Sequence, residues 1–462
     1  MKKQLVALPL AALALTGTNS MAADKPNVVI ILADDLGWGD VGYHGAGNIE
    51  TPNIDRIARE GIELDRYYVA PISSPTRAGL MTGRYPSRFG FREAVIPPWR
   101  PIGLPEEERT IADVLGENGY DNRAVIGKWH LGHSRKVYYP LNRGFTHFYG
   151  HLNGAIEYFT HYRDGELDWH DDWESCYDKG YSTDLITDEA VKCIKEYSKK
   201  DSPYFLYVAY NAPHSPFEAP EDEIAEHIPL KEFKAIENNK ERNKWIYKAM
   251  VTRMDKGIGR IWKALEKSGQ LDNTIVLFSS DNGGDLNASC NTPLRGSKFT
   301  EWDGGVRVPA AIYWKNGFEN GRKLERQVVG FVDILPTIAD IIGVKGEPAR
   351  PYDGISVYPV LKGETEHIDR DLYLGLGSVV NSDYKLILTG FNGQMPKRDF
   401  IVEYANDPYE KSNRIEGNAE EYARLKGIAV KYDTITPAFP EVPYGHGSKG
   451  FKSPKEWQVT EP

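Results

Sequence analysis

Two short acidic pairs, Asp34-Asp35 and Asp281-Asn282, and four basic side chains, Arg77, Lys128, His214 and Lys298, have the types and placement for chemistry. Each acidic pair follows an apolar run, Asn27 to Ala33 in one case and Thr274 to Ser279 in the other. Four oxygen donors without sulfur or paired histidines suit a hard cation, Ca²⁺ first and Mg²⁺ second, and speak against zinc. Taken singly, either pair also reads as a helix cap or a turn, where Asp and Asn are common. The bases are placed in the same way: Lys128 lies in Gly127-Lys128-Trp129-His130-Leu131-Gly132, His214 follows Tyr204 to Ala209, and Lys298 ends Pro293-Leu294-Arg295-Gly296-Ser297-Lys298. Acids that bind a metal and bases that surround an oxyanion fit hydrolysis of a sulfate or phosphate ester. Arg77 closes a further string, Ser73-Ser74-Pro75-Thr76-Arg77, whose serines are also the residues that begin an ordinary helix, with Ser73 or Ser74 as N-cap and Pro75 in the first turn.

These residues need a scaffold that brings them to one edge. Asn27 to Ala33, Tyr204 to Ala209 and Thr274 to Ser279 are continuous apolar runs rather than alternating ones, the pattern of strands buried on both faces of a parallel sheet. Amphipathic stretches between them (Thr110 to Asn118, Ser182 to Lys199, Lys244 to Ser268) predict helices. The expected fold is therefore α/β, a central, mostly parallel sheet with helices on both faces and its ligand beyond the carboxyl ends of the strands. A charged stretch at Lys362 to Arg370, after an expected apolar helix from Gln327 to Ile342, marks a boundary. Residues 24–365 are read as the catalytic domain and 366–462 as a small C-terminal α+β subdomain: short strands in Asp371 to Gly390 and Asp399 to Tyr404, a helix at Glu420 to Tyr432, and an irregular tail.

Composition narrows the class. The chain has 462 residues, 40% of them hydrophobic, and a formal net charge of -10, which suits a globular protein and excludes a general nucleic-acid binder. Residues 1–23 read as a cleaved secretory signal, too short in their apolar part for a membrane span, so a periplasmic or secreted protein without a membrane anchor is expected. Three scattered cysteines supply neither a disulfide framework nor a zinc site. Gly37-Trp38-Gly39-Asp40-Val41-Gly42 has dinucleotide-fingerprint spacing, but the two aspartates before it would repel a pyrophosphate, and no nucleotide is expected.

Taken together, the set resembles the formylglycine-dependent sulfatases of the alkaline-phosphatase-like superfamily. The resemblance runs from Lys25 to about Leu361. It includes Asn27 to Asp35, Thr51 to Asp55, Ser73 to Gly83, Gly127 to Gly132, Asn211 to His214, Asp281 to Gly284, Pro293 to Lys298 and Trp302 to Arg307. Gly127 to Gly132, Arg143-Gly144-Phe145 and Pro-Leu-Arg-Gly look most like N-acetylgalactosamine-4-sulfatase. The resemblance implies Ca²⁺ on Asp34, Asp35, Asp281, Asn282 and a modified Ser73, oxidised to formylglycine. One hydroxyl of the hydrated aldehyde attacks sulfur and leaves a sulfated enzyme; the other, deprotonated with help from His130, expels sulfate. His214 and Lys298 protonate the leaving oxygen and bind sulfate, and Arg77 and Lys128 stabilise the nucleophile.

Most members of the family carry cysteine where this chain has Ser73. Serine-type members resemble bacterial enzymes matured by a radical iron-sulfur maturase, a partner on which activity here would depend. The stretch Tyr138 to Trp173 (His147, His151, Tyr158, His161, Tyr162, Trp169, His170, Trp173) and Trp99-Arg100 offer aromatic faces and hydrogen-bonding groups for a sulfated polysaccharide, or else simply pack a long loop. The expected substrate is a sulfate ester at O4 of a galacto-configured sugar, in a carrageenan or a chondroitin-type chain. Two other readings stay open: a phosphate mono- or diesterase on the same fold, and a non-catalytic sulfated-glycan binder whose Ser73 stays unmodified.

Overall fold

The computed structural model describes residues 25–92, 94–388 and 397–459; the signal-peptide reading of residues 1–23 lies outside them. Asn27–Ala33 is a strand buried at every position. It lies between two parallel neighbours, Tyr204–Ala209 and Thr274–Ser280, each equally buried. Asn122–Lys128 and His147–His151 continue the parallel set beyond Tyr204–Ala209. Antiparallel additions extend both sides, Ala310–Tyr313 beside Thr274–Ser280 and His170–Asp171 beside His147–His151, within a ten-stranded sheet.

The apolar runs do not alternate because each face of the sheet has its own core. Val28, Ile30 and Leu32 join Phe205 and Tyr207 on one face, against Leu80 and Met81 of the helix Ser73–Thr82 and Leu335 of the helix Ile334–Ile341. Val29, Ile31 and Ala33 join Leu206, Val208 and Phe278 on the other. There they meet Ile54 and Ile57 of Pro52–Glu60, Ile186 of Ser182–Tyr197, and Met250 and Ile258 of Asn239–Lys267. Truncating one such side chain, Ile30→Ala for example, is expected to cost about 2–5 kcal/mol. The helix Ile111–Glu117 starts at a reciprocal cap: Asp113 N donates to Thr110 Oγ1 at 3.2 Å, and Thr110 N donates to Asp113 Oδ2 at 2.8 Å.

The C-terminal region holds a separate antiparallel sheet, Leu372–Gly375, Ser378–Val380, Tyr384–Ile387 and Phe400–Glu403 in sequence order, with the helix Ala419–Asp433 beside it. The α/β architecture with a small α+β subdomain is thus as expected. The helix expected from Gln327 to Ile342 is shorter. Val329–Gly330 pairs with Tyr67–Tyr68 instead, and Asp333 Oδ2 accepts from Gly330 N at 2.6 Å to begin the turn into Ile334–Ile341. The tail is irregular but attached: Trp457 is fully buried, and its indole N–H donates to Arg163 O at 3.0 Å. Among the described residues no helix is long and apolar enough to cross a membrane.

Candidate active site

Parallel strands end together, so the residues just beyond them meet. Asp34 N donates to Ala212 O at 3.0 Å and Asp281 N to Ala33 O at 3.1 Å, which continues the sheet's ladder into the loops. Asp34 and Asp35 thereby lie between Asp281-Asn282 and the turn that carries His214. Lys128 ends its own strand, and His130 follows it. Asp35 and His130 hold φ of 67° and 56°, in the left-handed region that non-glycine residues rarely adopt outside constrained sites.

Ser73 opens a helix whose ten residues are all buried. The N-cap position belongs to Ile72, not to Ser73 or Ser74, which corrects the capping expectation. Ser74 instead fastens two loops: its hydroxyl donates to His130 O at 3.0 Å and accepts from Ile96 N at 3.1 Å. One helical turn on, Arg77 Nε donates to Ser73 Oγ at 2.9 Å. His130 Nδ1 faces the same oxygen at 3.2 Å, and its Nε2 lies 3.1 Å from Ile96 O. A carbonyl only accepts, so Nε2 carries the proton and Nδ1 offers a lone pair to the Ser73 hydroxyl. Burial first, then Lys128 and Arg77, hold His130 well below the usual imidazole range, in the neutral form a base requires.

Three carboxylates and three cations share the centre. Lys128 Nζ lies 2.6 Å from Asp34 Oδ2, Lys298 Nζ 2.8 Å from Asp35 Oδ2, and Arg77 Nη2 2.9 Å from Asp281 Oδ2. Asn282 Nδ2 donates to Asp35 Oδ1 at 2.7 Å. Burial, then Asp281, raises Asp34 well above the usual carboxylate range. Burial would raise Asp35 too, but Lys298 and His214 bring it below that range, and Arg77 and Lys128 outweigh burial at Asp281 in the same way. Asp34 Oδ1 and Asn282 Oδ1 are buried with no hydrogen-bond partner. Two bare oxygens among carboxylates, with no sulfur near, are the donor set of a hard divalent cation, so Asp34, Asp35, Asp281 and Asn282 fit one.

His214 stands on the open side, its side chain 19% exposed and its Nε2 3.6 Å from Asp35 Oδ2. Burial and then Lys298 push it down to about 3. Tyr158 holds this turn, its one hydroxyl proton shared between Asn211 O at 2.5 Å and His214 O at 2.8 Å. All ten sequence-predicted residues therefore converge: Asp34, Asp35, Ser73, Arg77, Lys128, His130, His214, Asp281, Asn282 and Lys298. The glycine string at 37–42 forms two short 3₁₀ turns, Trp38–Asp40 and Gly42–His44, with the Asp40 carboxylate on Gly37 N, and offers no cradle for phosphate.

The aromatic stretch divides. Tyr158, Trp169, His161 and His170 are buried and His147 is bound on both ring nitrogens by Asp172 and Glu189, so these pack the loop rather than line a glycan surface. Tyr162 and Trp173 are exposed. Trp99 and Arg100 are held by the tail, through Tyr444 O and Pro440 O. His151 pairs in register with Lys128 and is fully buried, with its Nε2 unpartnered and burial pushing it to about 3. Its closeness to the centre follows from strand pairing, which local sequence does not show. The Ile96 carbonyl that sets the His130 tautomer was equally invisible, since a backbone acceptor has no residue-type signal.

The model of the sulfatase family matches residues 26–344. Arylsulfatase J of Mus musculus is 37% identical over 346 residues, 73% of this chain and 56% of that protein. N-acetylgalactosamine-6-sulfatase of Mus musculus is 32% identical over 403 residues, 82% of this chain and 73% of that one. Among solved structures, Ps i-CgsB in complex with k-i-k-neocarrahexaose superposes with a TM-score of 0.81 at 31% identity, covering 91% of this chain and 95% of the other. With its matched region spanning the helix Ser73–Thr82 and both pairs Asp34-Asp35 and Asp281-Asn282, this chain belongs to the sulfatase family, the hydrolases of sulfuric esters.

Proposed function

We propose that this chain removes a sulfate ester from a sulfated polysaccharide, at O4 of a galacto-configured sugar of the carrageenan or chondroitin type, after Ser73 is oxidised to formylglycine. The observation that carries it is the meeting of Arg77 Nε and His130 Nδ1 on Ser73 Oγ, beside one carboxylate and one amide oxygen, Asp34 Oδ1 and Asn282 Oδ1, that accept no hydrogen bond. The saccharide bound to Ps i-CgsB supports the polysaccharide class, and the export signal read in residues 1–23 suits a substrate met outside the cytoplasm. Maturation is assigned to a radical iron-sulfur maturase, because position 73 is serine.

Ca²⁺, with Mg²⁺ as second choice, would be held by Asp34, Asp35, Asp281, Asn282 and residue 73 and would draw electron density from the sulfate oxygens. Formylglycine, hydrated, would give residue 73 two hydroxyls where serine has one. His130 Nδ1 takes a proton from residue 73. Arg77 Nε, already on that oxygen, stabilises its negative charge. Lys128 and Lys298 lie on the carboxylates and present their ammonium groups to the sulfate. His214 delivers a proton to the leaving sugar oxygen from the open side. It is neutral as the site stands, and an anionic ester beside it opposes Lys298 and favours the imidazolium.

Rates with an aryl sulfate and an aryl phosphate, followed by sulfate release from carrageenan and chondroitin oligosaccharides sulfated at O4 or O6, test the proposal. Sulfate ester cleavage at least about 100-fold faster than phosphate, with release from O4, is expected. Preference for phosphate overturns the reaction class. Release from O6 instead, the position in the name of one relative, overturns the position assigned.

A further inference from the structure

His130 sets its ring on Ser73 Oγ from a backbone with φ of 56°, a conformation that persists only where the surroundings impose it. Two segments do so. Ser74, fully buried, joins His130 O at 3.0 Å to Ile96 N at 3.1 Å, and Ile96 O accepts from His130 Nε2 at 3.1 Å, so the main chain and the ring of His130 are tied to the same residue. The second segment follows His147–His151. Trp129 N donates to His151 O at 2.9 Å and His130 N to Leu152 O at 3.1 Å, which carries the pairing of the two strands past their ends. The buried Asp168 carboxylate accepts from Leu152 N and Asn153 N, each at 2.9 Å, and fixes the turn beyond. Gly154 comes next, with the His130 ring lying on it: a Cβ at 154 would stand 2.5 Å from His130 Cε1 and 2.6 Å from Nε2. Gly154 has no positive φ, so the ring and not the backbone conformation requires glycine here.

We propose that Gly154 is a positioning residue for proton removal at residue 73: by having no side chain it leaves the space in which the His130 ring must lie to reach that oxygen. This rests on the assignment of His130 as the base made above. With a methyl group at 154 the ring clears it only by turning, and turning gives up the contacts of Nδ1 with residue 73 and of Nε2 with Ile96. The anchors at Ser74 and Asp168 keep either segment from backing away to make room. Gly154 acts through His130 alone, so it governs the rate of the chemical step and not the binding of the ester.

Gly154→Ala, His130→Ala and the double variant test this, each matured, assayed on an aryl sulfate and on a sulfated galacto-oligosaccharide, and followed by thermal unfolding, with rates expressed per formylglycine counted by mass spectrometry. Gly154→Ala is expected to lower kcat about 10- to 10²-fold with KM within about threefold of wild type. In the His130→Ala background the same substitution changes kcat by less than about twofold, because no ring is left to displace. The double variant also separates a clash from a loss of fold: if Gly154→Ala lowers the melting temperature, removing the ring restores it. Wild-type kcat in Gly154→Ala overturns the proposal and leaves the base assignment standing. A loss of kcat or of melting temperature that persists at full size in the double variant overturns it in favour of a structural role. His130→Ala at the wild-type rate overturns the base assigned above, and the role of Gly154 with it.

Discussion

Among the described residues, two of the clusters of buried carboxylates and cations are finished differently. At Asp303, Lys385 and Glu410 each carboxylate oxygen has a partner. Lys385 Nζ donates to Asp303 Oδ1 at 2.7 Å and Glu410 Oε1 at 2.8 Å, Tyr68 OH reaches Asp303 Oδ2 at 3.4 Å, and Asp303 N donates to Glu410 Oε2 at 2.7 Å. This cluster ties Tyr384–Ile387 of the C-terminal sheet to the short helix Asp303–Val306. At Asp34, Asp35 and Asp281 the cations are as close, yet Asp34 Oδ1 and the neighbouring Asn282 Oδ1 are left bare. Burial and charge are common to both. The candidate active site differs in leaving two oxygens of its own cluster, Asp34 Oδ1 and Asn282 Oδ1, without a hydrogen bond, beside a side that opens at His214.

The contrast breaks most visibly at Ser73. Ser73→Ala is expected to lower kcat by more than about 10³-fold while thermal unfolding stays within a few degrees, because the hydroxyl serves the reaction and not the fold. His214→Ala should cost about 10²- to 10⁴-fold on a sugar sulfate, and less on an aryl sulfate whose leaving oxygen needs no proton, as paired kcat measurements would show. Chelation should remove activity with circular dichroism unchanged, and Ca²⁺ should restore it better than Mg²⁺. If chelation leaves activity intact, the bare oxygens are not a metal site.

The other cluster should fail in the opposite sense. Lys385→Met removes the ammonium group that Asp303 and Glu410 share, leaving Asp303 with Arg307 at 3.5 Å and Glu410 with the Asp303 N–H, and is expected to cost about 3–5 kcal/mol in denaturant unfolding, with turnover per folded molecule near wild type. A smaller effect concerns Glu301, fully buried with both carboxylate oxygens unpartnered and pushed up to about 8 by burial. A carboxyl whose folded value lies above its unfolded 4.5 binds its proton more tightly when folded. Its contribution to stability is therefore full below 4.5 and is lost as pH rises through about 8, and Glu301→Gln should flatten melting temperature across that window.

What was legible in the sequence follows from what is local. Asn27 to Ala33 read as a doubly buried strand because six consecutive apolar or small residues, Val28 to Ala33, leave no polar face, and the acids after it read as an edge because strand ends meet there. Contacts made across the chain left less trace. Val329–Gly330 looks like more helix until its pairing with Tyr67–Tyr68 is known. Tyr158 and Trp169 look like sugar platforms until the turn and histidines they pack against are seen. The tail reads as loose, and only its fold back onto Arg163 shows why it carries Trp457.

The state of residue 73 decides the rest. Mass spectrometry of the peptide spanning Ser73, from enzyme made in a host with the radical iron-sulfur maturase and assayed in parallel, measures it directly. The expected result is a peptide lighter by two hydrogens, in proportion to activity. An intact serine in enzyme that hydrolyses sulfate esters at full rate contradicts it.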